Sequence, residues 1–402
     1  QDLCPGGSAS SFSLILLLVP AMGRLCQRRR TPLLACAAAL LLGGSCLHSG
    51  LAWLSLPGFE RPSAPVQVDR RTAVLGSASA VSLGFGSSPS QVVAAPSDAD
   101  VPGFQLANGM AIPTMALNTA GLTADQAETA TRLAVSLGIK HIDFHPGRER
   151  DGVARVLASE GREALFLTTK IAKYKDEPAD PSAAAARAAK QIEDDFRVLG
   201  VRSVDMLLLR DAPSCEVMQA QWGVLERALA AGQTRAIGVI NFCEKALTCL
   251  LKTAKVTPSI NYFMVHPGMG PDPKGLRSFG ESRGIKTFAY GALGEPGPIE
   301  ELINSPVLKR IANSRNRSVA QVALRWVAQS GCAFSVRPTL DFGLGRSTCE
   351  GTTCRTGLEE RRQVFDWSLT AQEMSEIDAM SAPDGNPTIF SSPGCKGCYG
   401  CK

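Results

Sequence analysis

The chain has 402 residues, 45% of them hydrophobic and 20% charged. That supplies enough apolar side chains for a core and speaks against wholesale disorder. A net charge of +5 is small for this length and lacks the basic footprint of a nucleic-acid binder. The charge is also unevenly built. The first lysine is Lys140, and residues 1–102 carry seven arginines against five acidic residues. A lysine-free, acid-poor, Ser/Ala-rich leader joined to a charge-balanced body is the layout of a targeting region on a soluble domain.

Residues 1–95 are therefore read as a disordered targeting leader and set apart from the fold. Residues 1–21 precede the first methionine, Met22, and are read as extra or untranslated sequence. From Met22 the order is basic (Arg24, Arg28, Arg29, Arg30), apolar (Leu33–Leu42), then small residues to Gly50. This is a signal-peptide order, with an apolar run too short to span a bilayer comfortably. Leu51–Asp69 follows as a transit-like stretch with few acids. Arg70-Arg71 then precedes the uncharged Thr72–Ser97, which closes on the small-x-small pattern Val93-Ala94-Ala95. A twin-Arg ahead of a mild apolar run is an export address. Three addresses in series suit secretory entry, plastid import and export to the thylakoid lumen; a single transit peptide ending in the stroma is the alternative. Both place the mature start near residue 96. A native start near residue 50 would remove the plastid reading.

The body, residues 104–381, alternates short apolar runs with helical patterns. The runs are Met115–Leu117, Lys140–Phe144, Leu165–Lys170, Val204–Arg210, Thr234–Ile240, Ser259–Val265, Lys286–Gly291 and Ala333–Arg337. Between them lie helices such as Ala124–Leu137, Ala183–Leu199 and Ser318–Gln329, the last with Val319, Val322, Ala323 and Trp326 at helical spacing. Strands that read as continuous apolar stretches belong to a parallel sheet covered by helices. Eight such units predict an α/β fold, one (β/α)8 TIM barrel. Asn108-Gly109 within Phe104–Pro113 predicts an N-terminal β-hairpin plugging the barrel floor. Residues 382–402 form a Cys-rich tail. Active sites of this architecture sit where the strands end.

The motifs LANGMAIPTMALNT (106–119), GIKHID (138–143), LFLTTK (165–170), VDMLLL (204–209), AGQTRAIGVINF (231–242), INYFMVHP (260–267), FAYGALG (288–294), VAQVALRW (319–326) and VFDWSLT (364–370) span nearly the whole body. In order and spacing the body resembles the aldo-keto reductases. The resemblance implies NADPH-linked carbonyl reduction: the cofactor gives a hydride, a Tyr gives the proton, an Asp–Lys pair tunes that Tyr, and a His orients the carbonyl.

Carried over residue by residue, the resemblance is incomplete. Asp143 and Lys170 match the family pair. The Tyr position is Arg148, in a loop one residue short, and the His position is Arg210. The catalytic set is thus Asp143, Lys170 and Arg210, without phenol or imidazole. Arginine does not deprotonate at ordinary pH and makes a poor general acid. For NADP, the resemblance implies stacking on Tyr290 and contacts from Thr119, Asn241, Tyr262 (where a Gln is usual), Arg337 (in place of a phosphate-gripping Lys) and Glu360. About 14 extra residues within Thr339–Thr356 interrupt the phosphate-binding segment, and the usual downstream Arg is Gly357.

Three readings follow. Asp143 and Lys170 are a retained structural ion pair, since losing one partner of a buried pair costs roughly 3–5 kcal/mol. The barrel is then a pseudoenzyme, holding a thylakoid protein partner or an anionic ligand. Alternatively the mouth binds a dinucleotide or another small anion through Arg148, Lys170, Arg210 and Arg337. In the third reading turnover survives with a substitute donor, His145 or Tyr174. A thylakoid lumen would starve a reductase of NADPH; the stroma would not. His141 and His266 are read as structural. No metal site is assigned. In the tail, Cys395, Cys398 and Cys401 are read first as disulfide or thiol-redox groups and second as metal ligands.

Overall fold

The computed structural model describes residues 101–380, apart from 174–175, 213, 295–298 and 342–345. The segment read as a targeting leader, Tyr174 and the tail cysteines lie outside the described residues.

Eight parallel strands close into a barrel. In chain order they are Met115–Asn118, His141–Asp143, Phe166–Lys170, Val204–Arg210, Thr234–Ile240, Ile260–Met264, Lys286–Tyr290 and Ala333–Val336. Seven fall within the predicted runs, some shortened by a residue at one or both ends, and the first runs one residue past its predicted end, to Asn118. The eighth strand pairs with both the first and the seventh, which shuts the cylinder and removes every edge. An antiparallel hairpin, Gly103–Gln105 with Ala111–Pro113, precedes the barrel. Its Leu106 and Ile112 pack into the interior cluster with Ala116, Phe166, Met206 and Phe288, so the hairpin does plug the floor.

Local chemistry explains the helix starts. Thr123 with Gln126, and Ser318 with Gln321, form reciprocal capping boxes on helices Ala124–Ser136 and Val319–Gln329. Asp180 caps Pro181–Leu199, with proline at the first turn, where its missing N–H costs nothing. The helices cover the outside of the barrel and bury Ala127, Ala130, Ile192, Phe196, Trp222 and Trp326 in an outer apolar shell. Helix Arg148–Glu160 packs very closely on helix Ala124–Ser136: a Cβ at Gly152 would lie 2.3 Å from the Ala124 carbonyl oxygen. Among the described residues no helix is long and apolar enough to cross a membrane.

The inserted segment after the eighth strand is itself a hairpin, Thr339–Asp341 paired with Arg346–Thr348, followed by helix Gly351–Arg362. A Cys349–Cys354 disulfide ties the hairpin to that helix. At Gly357 a Cβ would meet the Pro338 carbonyl oxygen at 2.5 Å. The helix therefore sits against the chain just after Arg337, in a place that admits no side chain. A second disulfide, Cys215–Cys249, joins two outer helices, and Cys243 is disulfide-bonded as well. Cys332 is a buried free thiol, pushed up to about 11 by burial.

Candidate active site

The strand C-termini converge on a cavity of about 300 Å³ lined by Asn118, Ala120, His145, Lys170, Arg210, Ile240, Asn241, Tyr262, Tyr290 and Arg337. Six of the nine sequence-derived candidates meet there. Asp143 stands behind Lys170. Thr119 and Glu360 do not reach the lining.

The Asp143–Lys170 pair is intact. Both side chains are buried, and Lys170 Nζ donates to Asp143 Oδ1 over 2.6 Å. A tyrosine does reach this pair, from inside the barrel. Tyr262, on the sixth strand, donates from its hydroxyl to the other carboxylate oxygen, Asp143 Oδ2, at 2.9 Å. The same hydroxyl accepts from Asn118 Nδ2 at 3.0 Å and lies 2.5 Å from Ser335 Oγ. Five strands thus contribute to one polar layer across the barrel. Burial, and then the Asp143 charge, push the Tyr262 phenol well above its ordinary value. A phenol that donates to a carboxylate in a dry interior holds its proton.

The connection from Asp143 to helix Arg148–Glu160 is only four residues long, Phe144 to Gly147. Phe144 is fully buried and Gly147 takes a left-handed φ of 92°. Arg148 opens the helix and is exposed, so it does not line the cavity. His145, from this connection, does. Its Nδ1 lies 2.9 Å from Glu149 Oε2, and its backbone N–H donates to the same oxygen at 3.0 Å. Burial chiefly, with the nearby Lys170 charge, holds His145 below the ordinary imidazole value. Glu149 also accepts from the Gly121 N–H at 2.8 Å. Its burial favours the neutral acid, yet the bonds from His145 and Gly121 outweigh that and lower its pKa. Sequence reasoning singled out His145 but missed Glu149; the His-to-Glu spacing of four was the available signal.

On the other wall Asn241 follows the fifth strand with φ of 62°, a left-handed conformation that asparagine tolerates better than most residues. Its Oδ1 accepts from the Tyr290 hydroxyl at 2.8 Å. The Tyr290 ring meets the Tyr262 ring edge to face, with centroids 5.3 Å apart. Arg210 and Arg337 border the same space and have no hydrogen-bond or ion-pair partner among the described residues. The lining therefore carries three cationic side chains and no carboxylate.

The remaining candidates serve the scaffold. The Thr119 hydroxyl lies 3.2 Å from both the Asp143 carbonyl oxygen and Glu149 Oε2. The Glu360 carboxylate accepts from the Ser318 hydroxyl, and its carbonyl accepts from Gln321 Nε2, which joins two helices. His141 is buried with both ring nitrogens engaged, by Thr168 Oγ1 at 2.8 Å and the Pro113 carbonyl at 3.4 Å. His266 is buried, with Nδ1 2.6 Å from the Pro267 carbonyl oxygen.

Comparison with known proteins agrees with this geometry. The family model "Aldo/keto reductase family" matches residues 110–382. Aldo-keto reductase family 4 member C11 of Arabidopsis thaliana is 31% identical over 309 residues, 72% of this chain and 93% of that protein. NADPH-dependent codeinone reductase 1-4 of Papaver somniferum is 28% identical over 307 residues, 69% of this chain and 88% of that protein. The crystal structure of an aldo/keto reductase from Brucella melitensis aligns with a TM-score of 0.59 at 26% identity, over 69% of this chain and 98% of that one. With its closed parallel barrel, its floor hairpin and an Asp–Lys pair at the strand ends, the chain belongs to the aldo/keto reductase family.

Proposed function

We propose that the protein reduces carbonyl compounds with NADPH, and that Lys170 rather than a tyrosine supplies the proton. The observation that carries this reading is the position of the ammonium. Lys170 lines the cavity, while its partner Asp143 lies outside the lining. An ammonium has three N–H donors. One is spent on Asp143, so the others are available to an oxygen in the cavity.

The chemistry is adequate. An ammonium and a phenol are both proton donors able to serve a forming alkoxide. Either is a far stronger acid than the alcohol being formed. Lys170 can therefore polarise a carbonyl oxygen by hydrogen bonding and pass a proton to it as charge develops. Asp143 holds the ammonium in place. Tyr262 is a poor donor, because its hydrogen is committed to Asp143 and its pKa is raised. His145 is held neutral with Nδ1 toward Glu149, which leaves Nε2 an acceptor rather than a donor.

The residues also suit NADP(H). Tyr290 offers an aromatic face and Asn241 an amide at one wall, and the unpartnered Arg337 offers a guanidinium to a phosphate. When bound, the cofactor supplies the hydride. A relative, the codeinone reductase of Papaver somniferum, is named as NADPH-dependent.

The second reading is a catalytically silent barrel that holds an anionic ligand. What favours it is that both Asp143 oxygens are satisfied within the protein, so the pair can stand as pure structure. One experiment separates the two. Transfer of deuterium from deuterated NADPH to a panel of aldehydes and ketones is followed by mass spectrometry, alongside quenching of protein fluorescence by NADPH. Turnover should be present and should fall roughly 100-fold or more in Lys170→Met, the usual worth of a general acid. The Asp143→Asn/Lys170→Met double variant, which leaves no buried charge unpaired, should be folded and equally inactive. Quenching without transfer from any carbonyl would establish the silent reading.

A further inference from the structure

We infer that the cavity selects carbonyl compounds that also carry a carboxylate, and that Arg210 is the residue that grips it. The inference deepens the reductase reading and rests on it for the carbonyl half. The carboxylate half stands on Arg210 itself.

Arg210 ends the fourth strand and lines the cavity. Its Nε is buried without a hydrogen-bond partner, and the guanidinium makes no ion pair among the described residues. A buried guanidinium N–H with no acceptor is costly unless something outside the chain provides one. The carboxylates around the mouth are already engaged. Asp143 takes Lys170 and Tyr262. Glu149 takes His145 and Gly121. Asp211, the next residue along, takes Lys173 Nζ at 2.5 Å on its Oδ2. The nearby carboxylates thus leave Arg210 without an acid, as they leave Arg337 on the cofactor side of the cavity. A guanidinium is a planar fork of donors that matches a carboxylate bidentately.

Strand register limits the ligand's length. Lys170 pairs with Leu208 on the neighbouring strand, so Arg210 lies one strand over and two residues further along. Neighbouring strands are about 4.8 Å apart and two residues span about 6.6 Å. A carbonyl at Lys170 and a carboxylate at Arg210 then belong to one short molecule, an oxo acid with its two groups close together along the chain.

The test uses phenylglyoxylate and its methyl ester, which share a carbon frame and differ in charge. In the wild-type protein kcat/KM should favour the acid at least tenfold, and in Arg210→Gln that preference should vanish. Arg210→Lys, which keeps the charge but not the fork, should retain only part of it. Calorimetric titration with phenylglyoxylate gives a readout independent of turnover. Binding that is lost in Arg210→Gln supports the carboxylate site even if no hydride moves, and in that case only the reductase reading fails. Equal turnover of acid and ester by the wild type would sink the carboxylate site and leave the reductase standing. An acid preference unchanged in Arg210→Gln, or a variant that loses affinity for NADPH alone, would also overturn it, the latter by placing Arg210 on the cofactor.

Discussion

The two ends of the barrel treat their polar side chains in opposite ways. At the floor, His141 sits beside Phe166 and Phe288 with both ring nitrogens bonded. At the mouth, Arg210 and Arg337 face a cavity without partners among the described residues. Between them lies the layer of Asn118, Asp143, Lys170, Tyr262 and Ser335, in which each side chain is hydrogen-bonded. Buried polar groups that find partners inside the chain belong to the fold. Those left without partners at a cavity are kept for something the chain does not contain.

Three measurements would break or sharpen this contrast. The largest effect concerns the buried imidazoles. Burial pushes His141 and His266 down to about 4, against an ordinary value of about 6.5. The unfolded chain therefore binds protons that the folded chain refuses. Stability should be full above about pH 6.5 and should drain away as pH falls toward 4, by roughly 3 kcal/mol per histidine at the lower end. Denaturant midpoints taken at about pH 7 and about pH 4.5 should show the loss, and His141→Gln should remove a clear part of its pH dependence, the rest belonging to His266 and His145. A midpoint indifferent to pH would mean that water reaches both the His141 and the His266 imidazoles.

An intermediate effect is expected at the polar layer. Tyr262→Phe leaves Asp143 Oδ2 and the Asn118 amide short of a partner, at a cost of about 1–3 kcal/mol in chemical denaturation. Its turnover should stay within about threefold of wild type, since a phenol acting as the acid would account for roughly 100-fold. A collapse of turnover as deep as that of Lys170→Met would return the proton to the phenol. The smallest effect on stability belongs to the mouth. Arg337→Gln removes a cation with no partner, so the unfolding free energy should move by no more than about 0.5 kcal/mol. NADPH affinity should nevertheless fall about tenfold or more, as expected on losing a hydrogen bond to a charged group. A strongly destabilised Arg337→Gln would show that this guanidinium also belongs to the fold.

Much of the scaffold was legible because a parallel barrel buries both faces of its strands. Val204–Arg210 announces itself as an apolar run, and Thr123 and Ser318 announce helix starts through their capping partners. The family resemblance then singled out Asp143, Lys170 and Arg210 at the ends of those strands. The same property hid Tyr262. When both faces are apolar, alternation does not say which side chains point inward. The stacking of Tyr262 on Phe288 places its ring inside, where the hydroxyl donates to Asp143 while the side chain also borders the cavity. Glu149 was easy to overlook for another reason, its four-residue spacing from His145 being the one hint. It is a helix residue whose bonds run to Gly121 and His145 in loops, and nothing in its own helical pattern reports them.

The brevity of the Phe144–Gly147 connection fixes how this site could ever change. Arg148→Tyr would place a ring on the exposed first turn of a helix, not over the cavity. Room for a phenol there would require lengthening the chain and displacing helix Arg148–Glu160, which Gly152 seats directly on the Ala124 carbonyl. No single codon change restores the family's usual acid. Any selection on this barrel for faster chemistry would have to work through the groups already facing the cavity.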